Sequence, residues 1–143
     1  MDISEFEGVI DTINQGLPFS PIDPSTGDPF PGVEWIVASY NSKSYKAAER
    51  LAKNDGLKAL QSKKANKISA ARLEQGELDL LASLVVSWSG MKEGGVDLPC
   101  TPENVKKVLS NAAIGGDLRS QLDDHAADHA AFFKASKKSF QTQ

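Results

Sequence analysis

One cysteine, Cys100, stands in 143 residues. An intramolecular disulfide is therefore excluded, and so is a cysteine-rich zinc site. No basic residue or histidine lies close to it in sequence to lower its pKa toward that of a nucleophile. The plain reading is a small, half-buried residue before a helix. No apolar run approaches the roughly 20 residues needed to cross a bilayer. The opening, MDISEFEGVI, carries acids where a signal peptide carries bases. That predicts a cytoplasmic protein not exported by a signal of its own. There is no phosphate-cradling glycine loop followed by Lys-Ser or Lys-Thr, and no G-x-S-x-G elbow. With no catalytic constellation in the chain, neither an enzyme nor a cofactor is expected.

What is present is the length and composition of one ordinary soluble domain. The chain is 40% apolar and 24% charged, with net charge −3. The charge is unevenly spread. Residues 1–41 hold seven acids and no Lys or Arg; residues 42–75 carry +6, and residues 76–143 carry −2. The basic block suits an acidic partner. The plainer alternative is a solvated helix face partly neutralised by the acidic N-terminal arm.

Phe6, Val9, Ile10 and Ile13 have the spacing of a short helix, which Gly16 and Pro18 would end. An arm that orders only against a partner is the alternative. Five prolines between Pro18 and Pro31 forbid helix next. Asp23-Pro24-Ser25-Thr26-Gly27-Asp28 is a turn cluster. Val33 to Tyr40 is rich in β-branched and aromatic residues and reads as the best strand. Leu17 to Ile22 is its hairpin partner, confined by proline to an edge.

Ser42 is placed to cap a helix with Tyr45, Ala48, Leu51 and Ala52 on one face, continued by Leu57 and Leu60, with Gly56 weakening its middle. The stretch Gln61 to Lys67 is polar. Ser69 is placed to cap a further helix, whose apolar stripe Leu73, Leu80, Leu81, Leu84, Val85 and Trp88 predicts helix up to the tryptophan. Gly76 on that stripe suggests a close helix approach. Gly94-Gly95 breaks the chain. Thr101-Pro102-Glu103-Asn104 then supplies a cap, a proline at the first helical position and an acid in the first turn. Gly115-Gly116 closes that helix and Asp117 caps the last. Leu118, Leu122, Ala126, His129 and Phe133 follow along one face, before a polar tail from Lys134 that frays.

The expected fold class is mainly α with a small N-terminal β-hairpin: a compact domain of four to five helices. Residues 1–41 form the acidic arm and hairpin and residues 42–143 the helical part, as one folding unit.

One metal candidate exists. His125 and His129 are spaced i, i+4, with Asp128 beside them. A site needs a third ligand and supporting partners, so no metal is assigned. The plainer reading is two rim histidines beside small alanines. The basic block contains one aromatic, Tyr45, which makes a weak case for nucleic acid. Phe132 and Phe133 are adjacent, hence about 100° apart on a helix. Burying both in one small domain is difficult, which leaves one for a partner.

The stretch Leu84 to Leu109 carries a family likeness. Its features are an apolar segment ending in Trp88-Ser89-Gly90, a short glycine-containing link, Thr101-Pro102-Glu103-Asn104, a helix to Leu109, and a last helix with Phe132 and Phe133. Asp23 to Gly27, the strand to Tyr40, and Ser42 to Ala48 add to it. With these, about two-thirds of the chain resembles the tail assembly chaperones of long-tailed bacteriophages. The link departs from the family pattern, since Glu93 precedes Gly94-Gly95 in a longer insertion. The resemblance implies a non-enzymatic protein of the host cell cytoplasm. It would bind the long, aggregation-prone tape-measure protein, keep it soluble during tail assembly, and be absent from the finished virion. It also implies a homo-oligomer or association with a frameshifted longer form. On that reading Leu84, Val85, Trp88, Phe132 and Phe133 border the client or self-association surface. A structural tail or head-tail component, and a small metal- or nucleic-acid-binding regulator, stay open as alternatives.

Overall fold

A computed structural model describes residues 1–61 and 70–141, apart from the side chains of 55–61, 70–74 and 137–141. The Ser69 cap, the 61–67 link beyond Gln61, and the side chains of Leu57, Leu60 and Leu73 lie outside the described residues.

The N-terminal segment is helical. Asp2 accepts from the Ser4 backbone N–H at 3.0 Å and opens a 3₁₀ turn over Ile3–Phe6, which leads into α1 (Glu7–Gln15). Gly16 ends α1 with φ of 87°, as its left-handed backbone requires. A Cβ there would sit 2.9 Å from the Val37 carbonyl, so the α1 exit is pressed against the next strand pair.

That pair is β1 (Leu17–Phe19) and β2 (Glu34–Val37), antiparallel, with Phe19 opposite Trp35. Between them Asp23 Oδ1 accepts from the backbone and hydroxyl of Ser25, and Gly27 takes φ of 78°. The side chain of Gln121 clamps this loop, accepting from Ile22 N at 2.7 Å and donating to Ile22 O at 3.0 Å. The hairpin and its edge proline agree with the sequence reading. Residues alternate across β2, so Trp35 and Val37 face the core and are fully buried.

Ser42 caps α2 (Lys43–Gln61), its hydroxyl accepting from the Tyr45 backbone N–H at 3.3 Å. The helix runs through Gly56. Following it, α3 (Ala70–Ala82) departs from expectation. It stops at Ala82 and does not reach Trp88. The Ser83 hydroxyl donates to Leu80 O and Leu84 N–H to Leu81 O, closing a turn. The chain then enters β3 (Val85–Ser89), antiparallel to β2 with Trp88 opposite Trp35. Two adjacent β-branched residues, Val85 and Val86, lose side-chain freedom in a helix and fit a strand. Pairing with β2 also satisfies a second row of backbone groups that the lone hairpin would expose. The sheet order β1-β2-β3 makes β2 central. A further correction concerns Gly76. Among the described residues a Cβ there would meet nothing within 4 Å, so none of them supplies the close helix approach expected at this glycine.

The glycine link is itself a hairpin, β4 (Lys92–Glu93) with β5 (Val96–Asp97), turned by Gly94 and Gly95 at φ of 59° and 80°. Positive φ at both central residues is what such a two-residue turn demands. Next comes α4 (Pro102–Leu109). Thr101 accepts from Asn104 N–H and Pro102 opens the first turn, as the sequence indicated.

Gly115-Gly116 does not close α4, and Asp117 is not a cap. The two glycines begin α5 (Gly115–Ala127). A Cβ at Gly115 would lie 2.4 Å from the Leu109 carbonyl oxygen, so the α4–α5 corner needs a glycine there. The last helix is also not one element. Asp128, at ψ of 77°, separates α5 from α6 (His129–Gln141). Residues 134–141, expected to fray, continue that helix.

Among the described residues the architecture is thus mixed α and β, with six α-helices and two small antiparallel sheets. One face of β2 lies on the core formed with α3, α4 and α5, where Trp35, Val37, Leu84, Leu109, Leu118 and Leu122 meet. Outside this, α1 packs on α6, and a Cβ at Gly8 would contact the buried Ser136 hydroxyl at 3.2 Å.

Candidate functional site

The five residues read from the sequence as a partner surface separate in the fold. Leu84 is fully buried at the turn before β3, and Phe132 is 1% exposed. Both are core and offer no side-chain surface. Val85 and Trp88 are partly buried on β3. Trp88 packs on Trp35 at 5.4 Å between ring centroids and donates its indole N–H to Leu98 O at 2.8 Å. Its ring therefore ties the β4–β5 hairpin to the sheet. Phe133 alone is open, at 38% exposure. It meets Phe6 of the N-terminal segment edge-on at 6.0 Å. Burying both adjacent phenylalanines was expected to be difficult, and Phe133 is the one left out. The kink at Asp128 decides which. It ends the face of Leu118, Leu122 and Ala126, and the new helix turns Phe132 inward.

The histidines part at the same kink. His125 ends α5 and His129 begins α6, so the one-helix i, i+4 geometry is lost. His125 lies half-buried between Phe19 and Phe132, with centroids 5.2 Å and 5.9 Å away. Burial pushes its pKa below the ordinary histidine value. The Val37 and Leu17 backbone and the Asp128 carboxylate oppose this shift, yet no acceptor meets Nε2 at hydrogen-bond geometry. His129 is exposed, its Nδ1 3.4 Å from Asn41 Nδ2. Among the described residues no cluster of three or more His, Cys, Asp or Glu is placed to hold a metal. His125, Asp128 and His129 are therefore not assembled into a site. Cys100 is partly buried before α4, and burial raises its thiol pKa, the opposite of activation.

A cleft of about 410 Å³ escaped the sequence reading. Tyr40, Tyr45, Glu77, Leu80, Arg119 and Asp123 are among the residues that line it. The Tyr40 hydroxyl donates to Asp123 Oδ1, and its ring meets Tyr45 edge-on at 4.8 Å. Burial first, then the Asp123 carboxylate, pushes the Tyr40 pKa up, so the phenol stays protonated and a donor. Tyr40 and Asp123 are 83 residues apart, a pairing no local spacing could reveal. Its tyrosine–carboxylate pair anchors α5 to the segment that follows β2.

Two further surfaces stand out by charge. On α1, Glu7 and Asp11 are exposed together with Ile10, which is 50% open; on α2, Lys43, Lys46, Arg50 and Lys53 are exposed with Leu51, which is 65% open. Among the described residues no helix is long and apolar enough to cross a membrane. Compared with protein-family models, with curated proteins and with solved structures, the chain has no match.

Proposed function

We propose that this protein is a tail assembly chaperone of a long-tailed bacteriophage, which binds the tape-measure protein and keeps it soluble in the host cytoplasm until the tail tube forms. The reading rests first on the order of motifs: the turn cluster from Asp23, the strand to Tyr40, the Ser42 cap, the Thr101-Pro102 cap, and a last helix bearing Phe132 and Phe133. The observation that carries it is Phe133. A large aromatic is held partly open on α6, backed by Phe6 and not folded into the core. Such a ring supplies an apolar anchor to an amphipathic client helix. The client surface of this proposal is narrower than the five residues read from the sequence. Leu84 and Phe132 are buried and lie outside it, and Val85 and Trp88 sit on β3.

The deciding experiment is co-expression with the tape-measure protein, followed by pull-down and sizing of the soluble fraction. A soluble complex is expected, with the tape measure insoluble when this chain is omitted. Phe133→Asp should lower the recovered complex at least tenfold while the melting curve stays within a few degrees, because an exposed side chain contributes little to the core. Undiminished rescue by Phe133→Asp would remove this residue from the client surface. No rescue by the unaltered chain would remove the chaperone reading. Recovery of the chain in stoichiometric amount from purified virions would favour a structural tail component.

A further inference from the structure

The cleft where α2, α3 and α5 meet has no part in the client surface around Phe133. It encloses about 410 Å³, within the range of small-ligand sites. Leu80 and Leu81 give it an apolar lining from α3. Tyr40 and Tyr45 give it two rings, 4.8 Å apart between centroids and inclined at 76°. Nearly perpendicular rings make a corner, and aromatic faces are the negative side of the ring quadrupole. Carboxylates reach the same corner from two helices, Glu77 on α3 and Asp123 on α5. After burial, the Asp123 carboxylate, Tyr45 and Glu77 each push the Tyr40 phenol pKa up, which places Glu77 close to that ring. Glu49 follows Tyr45 by one turn of α2 and, after burial and together with Asp123, does the same to the Tyr45 phenol.

The corner is rich in hydrogen-bond acceptors. Tyr40 gives its proton to Asp123 Oδ1, which leaves the phenol oxygen and Asp123 Oδ2 to accept. Ionised Glu77 only accepts. Arg119, the one cation among the described lining residues, is already engaged within the fold.

We infer that this cleft binds a polyamine, its methylene stem against Leu80, Leu81 and the tyrosine rings and its ammonium groups on Glu77, Asp123 and the Tyr40 oxygen. Ammonium groups are donors only, the complement of these acceptors. They gain from ring faces and carboxylates together. A dicarboxylate would meet two carboxylates against one engaged guanidinium. A single lysine side chain of a protein would bring one charge to several carboxylates and leave much of the volume to water. Because Glu77 and Asp123 are exposed, the affinity is modest and falls with salt. The site does not rest on the chaperone reading.

Isothermal titration calorimetry of the full chain with spermidine tests this. One saturable site per chain is expected in about 0.05 M salt, weakening as salt rises. Glutarate should not bind, and Nα-acetyl-lysine amide should bind about tenfold more weakly than spermidine. Glu49→Gln with Glu77→Gln changes charge alone, so the melting curve should stay within a few degrees while spermidine affinity drops about tenfold. Tyr45→Leu, which keeps apolar bulk but loses a ring face, should weaken binding about threefold. Glu34→Gln with Asp97→Asn removes as much charge from exposed positions outside the cleft and should leave affinity within about twofold. Absence of saturable binding overturns the inference. Equal weakening by the two charge-removing pairs overturns it too, since that is general attraction to an acidic chain. A lysine amide that binds as tightly as spermidine makes the cleft a receptor for a protein side chain, and glutarate binding makes it an anion site; either outcome also overturns it.

Discussion

At His125 the fold keeps an imidazole between two phenyl rings with Nε2 unpaired. Its folded pKa lies below the ordinary value of 6.5. Above pH 6.5 the ring is neutral in both folded and unfolded chains, and the stability from burying it is fully present. As pH falls through 6.5 the unfolded chain takes up the proton first, so stability declines until the folded pKa is reached. Asp2 and Asp23 lose stability in the same direction, but in a lower window. Their Ser4 and Ser25 hydrogen bonds lower the folded pKa, and that contribution fades only as the pH drops past 3.8. The windows are separate. A urea midpoint at pH 5 should therefore lie below that at pH 7.5, and in His125→Phe most of that difference should vanish. An equal drop in the variant would place the acid sensitivity elsewhere.

Two glycines of one link show how differently a residue type can matter within an element. Gly90 follows β3 at φ of 80°, and a Cβ there would fall 2.0 Å from the Gly32 carbonyl oxygen, a backbone atom with no freedom to move aside. Gly90→Ala should cost at least about 2 kcal/mol in chemical denaturation. Gly94, at φ of 59° in the β4–β5 turn, has open space around it. Gly94→Asn should be nearly neutral, because asparagine tolerates the left-handed region. Equal losses at both positions would contradict this distinction. In the sequence both read only as parts of one glycine-containing link. The contrast also marks which elements the sequence could specify. The Thr101-Pro102 cap and the proline-edged hairpin are local chemistry, and both formed where expected. The α3–β3 switch is not local. Leu80, Leu81, Leu84, Val85 and Trp88 keep helical spacing, and only pairing with β2, some fifty residues earlier, turns the last of them into a strand. The break at Asp128 was hidden for the same reason. The run from Leu118 to Phe133 fits one helix until Phe132 is drawn into the core, which parts the two histidines and leaves Phe133 outside. The Tyr40–Asp123 cleft had no local signal at all.

For the whole molecule the consequence lies in where β2 sits. Residues 1–41 read as an arm and hairpin attached to a helical part, yet their strand is the middle of the sheet. Its partner β3 comes from the part of the chain read as helical, some fifty residues later. Trp35 and Val37, both fully buried, join one cluster with Leu84, Leu109, Leu118 and Leu122. Ala38 N–H reaches Leu84 O at 2.8 Å, and Tyr40 N–H reaches Ala126 O at 3.2 Å. The N-terminal segment is thus part of the core that the helices close around. Removing it would strip the largest side chain from that core. Loss of Trp35 alone, as in a Trp→Ala change, typically costs about 3–5 kcal/mol, comparable to much of a domain's net stability. It would also leave β3 with an unpaired edge. A chain of residues 42–143 should therefore show no cooperative melt and no near-ultraviolet dichroism, whereas the full chain should unfold in one transition seen alike by tryptophan fluorescence and far-ultraviolet dichroism. A truncated chain that melts cooperatively would mean that α3, α4 and α5 hold a core of their own, with the hairpin added to it afterwards.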